Sequence, residues 1–206
     1  MKLPLFALAV IPLVIAGCGF LGGGQRQDEV SRGSLCGVPG IQGETVGQVK
    51  SETRGCGIAE AVRVTAVGGV SLSQGAVMEC STAEVLNSWV QNDVKRIIGR
   101  TGGGVSELQV AAHYVCRTRN HKRGARISEH GKGRAIDISA FNLEDGSSIS
   151  LTEDWRKGKR GRMLRDIRDS ACGPFATVLG PGSDGYHEDH FHFDTAQRDN
   201  NYLYCR

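Results

Sequence analysis

The sequence predicts an α+β domain: a mostly antiparallel sheet with flanking helices, stabilised by disulfides. Three observations lead there. Segments alternating polar and apolar residues recur along the chain with the period of a strand. Two other segments carry apolar residues at helical spacing. Six of the seven cysteines fall within residues 36–206, an even number that suits a disulfide framework in an oxidising compartment.

The elements follow in order. AVRVTAVGG (61–69) alternates and ends in glycines, which reads as a strand and a turn. VSLSQGAVMEC (70–80) either continues the sheet or caps it. STAEVLNSWVQNDVKRIIGR (81–100) is the clearest helix, with Ser81 or Thr82 as its cap and Val85, Leu86, Trp89, Val90, Val94, Ile97 and Ile98 as its buried stripe. TGGG (101–104) stops it. ELQVAAHYVCR (107–117), RAIDISAF (134–141), FATVLG (175–180) and DHFHFD (189–194) read as strands. RGRMLRDIRDSAC (160–172) reads as a second helix with Met163, Leu164 and Ile167 inward.

The first residues have a different character. MKLPLFALAVIPLVIAGC carries one early lysine, then an apolar run too short for a comfortable permanent span. Ile15-Ala16-Gly17 before Cys18 looks like a bacterial lipobox. The expectation is a lipoprotein signal peptide over 1–17, acylation of Cys18, and a glycine-rich tether over 18–35. Gly19 in place of aspartate favours an outer-membrane anchor facing the periplasm. Residues 36–206 then form one domain, with disulfides expected in chain order, Cys36–Cys56, Cys80–Cys116 and Cys172–Cys205, one of fifteen possible connectivities.

Charge excludes some functions. Lys+Arg number 25 against 22 Asp+Glu, and aromatics make up 6%. That leaves no extended nucleic-acid footprint and no stacking platform for single strands. The basic runs 117–126 and 156–165 read as solvated faces, or more sharply as surfaces for cell-wall peptides bearing free carboxylates.

The chemistry concentrates in YHEDHFHFD (186–194) and SEHGKGRAIDISAF (128–141). On a strand of period two, His190, His192 and Asp194 share one face and Phe191 and Phe193 the other. Asp137 lies between Ile136 and Ile138 on a strand, and a carboxylate there needs a partner. If the two strands are neighbours, His130, Asp137 and one histidine of the His190/His192 pair converge. Two imidazoles and a carboxylate leave an open position, as in catalytic zinc sites.

His-x6-Asp followed by His-x-His resembles the zinc peptidases that include D-alanyl-D-alanine carboxypeptidases, lysostaphin-type endopeptidases and the hedgehog N-terminal domain. SEHGKGRAID is similar to the carboxypeptidase and dipeptidase branch, and His187-x-x-His190-x-His192 to the penicillin-insensitive murein endopeptidases. The span from about Cys36 to Cys205, with YVCR, SEH, AID, TVLGPG and DHFH in this order, resembles the bacterial extensin-like C-terminal domain. The resemblance implies a hedgehog/D-Ala-D-Ala peptidase-like fold and a Zn2+ ion on His130, Asp137 and His192. It implies His190 as general base or oxyanion stabiliser and His187 as its helper. Asp189 stands where that branch often has a glutamate base, so His190 is preferred to it, with Glu129 and Glu188 behind. Arg117, or alternatively Arg119, would hold a substrate carboxylate, and Ser128 would bond substrate or the metal shell. The expected activity is a zinc metallopeptidase, carboxypeptidase or endopeptidase, acting on peptidoglycan stem peptides or cross-links. The alternatives are a non-catalytic, metal-containing, wall-binding lipoprotein and a metal-dependent hydrolase of some other amide.

Overall fold

The computed structural model describes residues 34–198, 200 and 202–206. The expected signal peptide, Cys18 and almost all of the tether lie outside the described residues.

β1 (Ile41–Val49), β2 (Ile58–Val67) and β3 (Val70–Glu79) make an antiparallel meander. Gly68 and Gly69, both at positive φ (59° and 79°), supply the two-residue turn between β2 and β3. The chain then forms α1 (Cys80–Trp89), a π-helical turn (Val90–Val94) and α2 (Lys95–Ile98) without a break. This helical crossover lets β4 (Val105–Ala112) pair parallel to β3. β5 (Ala135–Leu143) runs antiparallel to β4, with β6 (Ser148–Ser150) on part of its other edge. α3 (Leu151–Asp154) and α4 (Gly158–Ala171) follow, then β7 (Thr177–Leu179), β8 (Phe191–Asp194) and β9 (Tyr204–Cys205). Among the described residues these strands form one nine-stranded sheet in the order β1-β2-β3-β4-β5-β8-β7-β9, with β6 also on β5. The α+β class and the mostly antiparallel sheet are as expected. No helix among the described residues is long and apolar enough to cross a membrane.

The core lies between the sheet and the helices. Leu86, Trp89, Val90, Val94 and Ile98 are fully buried, and Val85 and Ile97 pack against them at the edge. From α4, Met163, Leu164 and Ile167 point inward. Phe193 stacks on Phe175 (5.1 Å between centroids) and meets Trp89 at 4.8 Å, while Phe191 meets Trp155 at 5.7 Å. These aromatics fix β8 against the helices and leave its alternate residues on the other face.

Several details differ from the sequence reading. The long helix starts at Cys80, and Thr82 bonds the Thr195 hydroxyl (2.9 Å) rather than capping it. β4 ends at Ala112, because beyond it the His113 carbonyl turns to an imidazole instead of a neighbouring strand. Only Cys172–Cys205 pairs in chain order; the others are Cys36–Cys80 and Cys56–Cys116. Cys36 precedes β1 and packs beside the first turn of α1, where Cys80 lies. Cys56 sits in the β1–β2 connection, which docks on the turn at residue 131 through Gly57 N–H to Gly131 O (2.8 Å) and so meets Cys116. Three disulfides point to an oxidising compartment outside the cytoplasm.

Candidate metal centre

The site is built by strand register. β5 and β8 pair antiparallel with Asp137 opposite His192, Ile136 opposite Phe193 and Ile138 opposite Phe191. Directly opposed residues share a face. The isoleucines and phenylalanines therefore fill the core while Asp137 and His192 stand together on the other side. His130 arrives from a 3-10 turn (Glu129–Lys132) that Gly133 ends in the left-handed conformation (φ 71°). Any side chain at Gly133 would also collide with Ile58. Buried Glu129 braces this turn through Lys132 (2.9 Å) and Arg119 (3.3 Å).

Three ligand-capable atoms meet in a near-equilateral triangle. His130 Nε2 lies 3.1 Å from Asp137 Oδ1 and 3.1 Å from His192 Nδ1, and those two are 2.9 Å apart. All three residues are buried. The opposite ring nitrogens are already committed. His130 Nδ1–H donates to the His113 carbonyl (2.8 Å), and His192 Nε2–H donates to Asp194 Oδ2 (3.2 Å). With these tautomers, two imidazole lone pairs and a carboxylate oxygen face one another with no hydrogen between them. Three converging buried acceptors need a cation. A tetrahedral zinc with bonds of about 2.0–2.1 Å spaces its ligands about 3.3 Å apart, close to the spacing seen. The Asp194 and His113 contacts are the outward hydrogen bonds that orient metal-binding imidazoles. The residues therefore fit a divalent ion, with three ligands among the described residues rather than the four of a structural site.

Without the ion a proton takes its place. Burial works against the His192 imidazolium, but the Asp137 and Asp194 carboxylates outweigh it and hold its pKa up at about 9. Burial likewise opposes ionisation of Asp137, and its contacts with the His130 and His192 imidazoles overcome it, holding the carboxyl well below the usual range.

Two more imidazoles flank the triangle. His190 Nδ1–H donates to Asp189 Oδ1 (2.7 Å), and its Nε2 lies 3.6 Å from Asp137 Oδ2. His187 Nδ1–H donates to Asp184 Oδ1 (2.6 Å), and its ring lies 5.2 Å from that of His190 and 5.5 Å from that of His192. Burial pushes the His187 pKa down despite Asp184, and the neighbouring His192 charge adds to this. Asp189 is itself mostly exposed and meets the site only through His190. Glu188 accepts the Gly182 N–H (2.9 Å) and holds its own loop.

Beside the triangle opens a cavity of about 420 Å³, lined by Arg117, Arg119, Ser128, His187 and His192 among others. The structure thus brings His130, Asp137 and His192 together, sets His190 beside them, and places His187, Arg117, Arg119 and Ser128 on the adjoining cavity, while Glu188 and the exposed Asp189 stand outside it. Five residues carry roles that the sequence alone does not assign. Asp194 sets the His192 tautomer; its place on the histidine face is the available signal. Asp184 holds His187 across a loop that has no periodicity to read. Tyr202 and Tyr204 wall the cavity from the C-terminal segment. Arg198 ties that segment down by donating to Ala176 O, Tyr202 O and Thr177 Oγ1.

Fold and site together define an α+β, disulfide-bonded domain with a buried His-Asp-His cluster able to hold a metal ion. Residues 39–206 match the family described as extensin-like protein C-terminus, and the chain belongs to that family. No curated protein and no solved structure matches it.

Proposed function

We propose that this protein is a zinc-dependent peptidase acting on peptidoglycan stem peptides or cross-links, at D-Ala-containing bonds. The observation that carries the reading is the triangle of three buried acceptor atoms with a flanking, carboxylate-oriented imidazole and an open cavity beside it. The similarity of SEHGKGRAID to the D-Ala-D-Ala carboxypeptidase and dipeptidase motif, and of the HEDHFH histidine spacing to the penicillin-insensitive murein endopeptidases, supports the choice of substrate. A zinc ion held by His130, Asp137 and His192 would acidify a water and polarise a carbonyl.

The chain's own groups do the rest. Asp189 keeps the proton on His190 Nδ1, which leaves Nε2 free to accept one beside the site and return it to the leaving amine. His187, kept neutral by burial, assists as a hydrogen-bonding partner. Arg117 offers a guanidinium at the cavity wall for a substrate carboxylate, and Ser128 a hydroxyl. Anchoring through acylated Cys18, with residues 18–35 as tether, would place the domain on the outer membrane facing the wall in the periplasm.

The test is a digest of purified peptidoglycan with zinc-loaded protein beside His192→Ala, read by product mass. Released muropeptide fragments that vanish in the variant are expected, and their masses separate carboxypeptidase from endopeptidase. An inert, zinc-loaded wild type that still binds the wall would instead make the protein a non-catalytic binding lipoprotein.

A further inference from the structure

We propose that the Cys56–Cys116 disulfide is a positioning element of the metal centre, so that metal affinity depends on this bond and not on disulfides in general. The inference rests on the reading of His130, Asp137 and His192 as ligands.

The bond lies directly under the turn that carries His130. A Cβ built on Gly131, the next residue, would stand 3.0 Å from Cys56 Sγ, 3.0 Å from Ile127 Cγ2 and 3.5 Å from Cys116 Cα. The turn is therefore packed against the disulfide itself, and a methyl group at residue 131 would press on Cys56 Sγ and Ile127 more tightly than ordinary contact allows. Both half-cystines also belong to segments that hold the turn by hydrogen bonds. Next to Cys56, Gly57 N–H donates to Gly131 O (2.8 Å). Next to Cys116, Arg117 O accepts from Ser128 N–H (2.9 Å). Three residues before Cys116, the His113 carbonyl fixes the His130 ring through Nδ1 (2.8 Å). Between Ala112 and the Thr118–Ile127 bridge this segment has no strand partner among the described residues. The disulfide is thus the covalent tie that holds the His113 carbonyl and the His130 turn in register. Cys172–Cys205 joins the end of α4 to β9, two strands away from β8.

The test compares zinc affinity, by chelator competition, with the melting temperature of the metal-free protein, in full-length wild type, Cys56→Ala/Cys116→Ala and Cys172→Ala/Cys205→Ala. Loss of either bond should lower the melting temperature. Only loss of Cys56–Cys116 should weaken zinc binding, by about 10–100-fold, the range for lost support around a ligand; the other variant should stay within about threefold. Gly131→Ala, which keeps all three disulfides, should weaken binding in the same direction. A Cys56→Ala/Cys116→Ala protein with wild-type near-ultraviolet circular dichroism and wild-type zinc affinity overturns the proposal. If that variant does not fold, unchanged affinity in Gly131→Ala overturns it alone. A wild type that takes up no zinc instead overturns the ligand reading beneath it.

Discussion

Metal binding should be a competition with one proton at His192, and its pH dependence is calculable. In the metal-free protein His192 titrates at about 9 instead of 6.5. That gap corresponds to about 3 kcal/mol favouring the protonated, folded form. Because the folded pKa is raised, this stabilisation is complete below pH 6.5 and disappears as pH rises through about 9. The metal needs the same Nδ1 lone pair, so each pH unit below about 9 should weaken apparent affinity about tenfold. Between pH 8 and pH 6 the loss is about 100-fold, with about one proton released per ion bound. Zinc titration against a competing chelator at several pH values measures the slope, and release into weak buffer counts the proton. An ordinary histidine would flatten above about pH 7, so the decisive window is pH 7 to 8.5. Affinity that is flat there would show that His192 Nδ1 carries no proton for the metal to displace. Asp194→Asn removes one of the carboxylates that raise His192 and should move the plateau to lower pH.

Three further outcomes are expected. His190→Gln should keep zinc within about twofold and lose about 10²–10⁴ in turnover, measured on D-Ala-terminated peptides; unchanged turnover would remove His190 as proton carrier. Phe193→Ala empties a fully buried position between Trp89 and Phe175 and should destabilise the fold by about 3–5 kcal/mol in urea unfolding. Peptide mapping without reduction should find Cys36 linked to Cys80 and Cys56 linked to Cys116, and in-order pairs would contradict the packing described.

How much of the molecule the sequence reveals follows from where the information lies. Strong periodicity locates the long helix, β2, β5 and β8, because burial on one face leaves its period in the residue order. The same periodicity separates Phe191 and Phe193 from His192 and Asp194, so the metal face is legible in the residue order alone. β1 leaves no such trace, because IQGETVGQV is an edge strand with its side chains largely exposed and bulges at its glycines. β9 is two residues long and owes its place to Cys172–Cys205 and to Arg198. Chain order misassigns Cys36, Cys56, Cys80 and Cys116 because their pairing depends on packing between distant segments, such as the docking of the β1–β2 connection on the His130 turn. Such long-range contacts have no trace in local pattern. The pairing of the strands behind Asp137 and His192 enters the sequence reading only as a condition, and their register supplies what the spacing lacks.

His130, Asp137 and His192 should jointly hold one divalent ion. The most direct measurement is elemental analysis of protein loaded with zinc and dialysed, comparing wild type with Asp137→Ala at pH 8. About one zinc per chain in the wild type and less than about a tenth in the variant is the expected result. A wild type without zinc, or a variant that keeps a full equivalent, would contradict it.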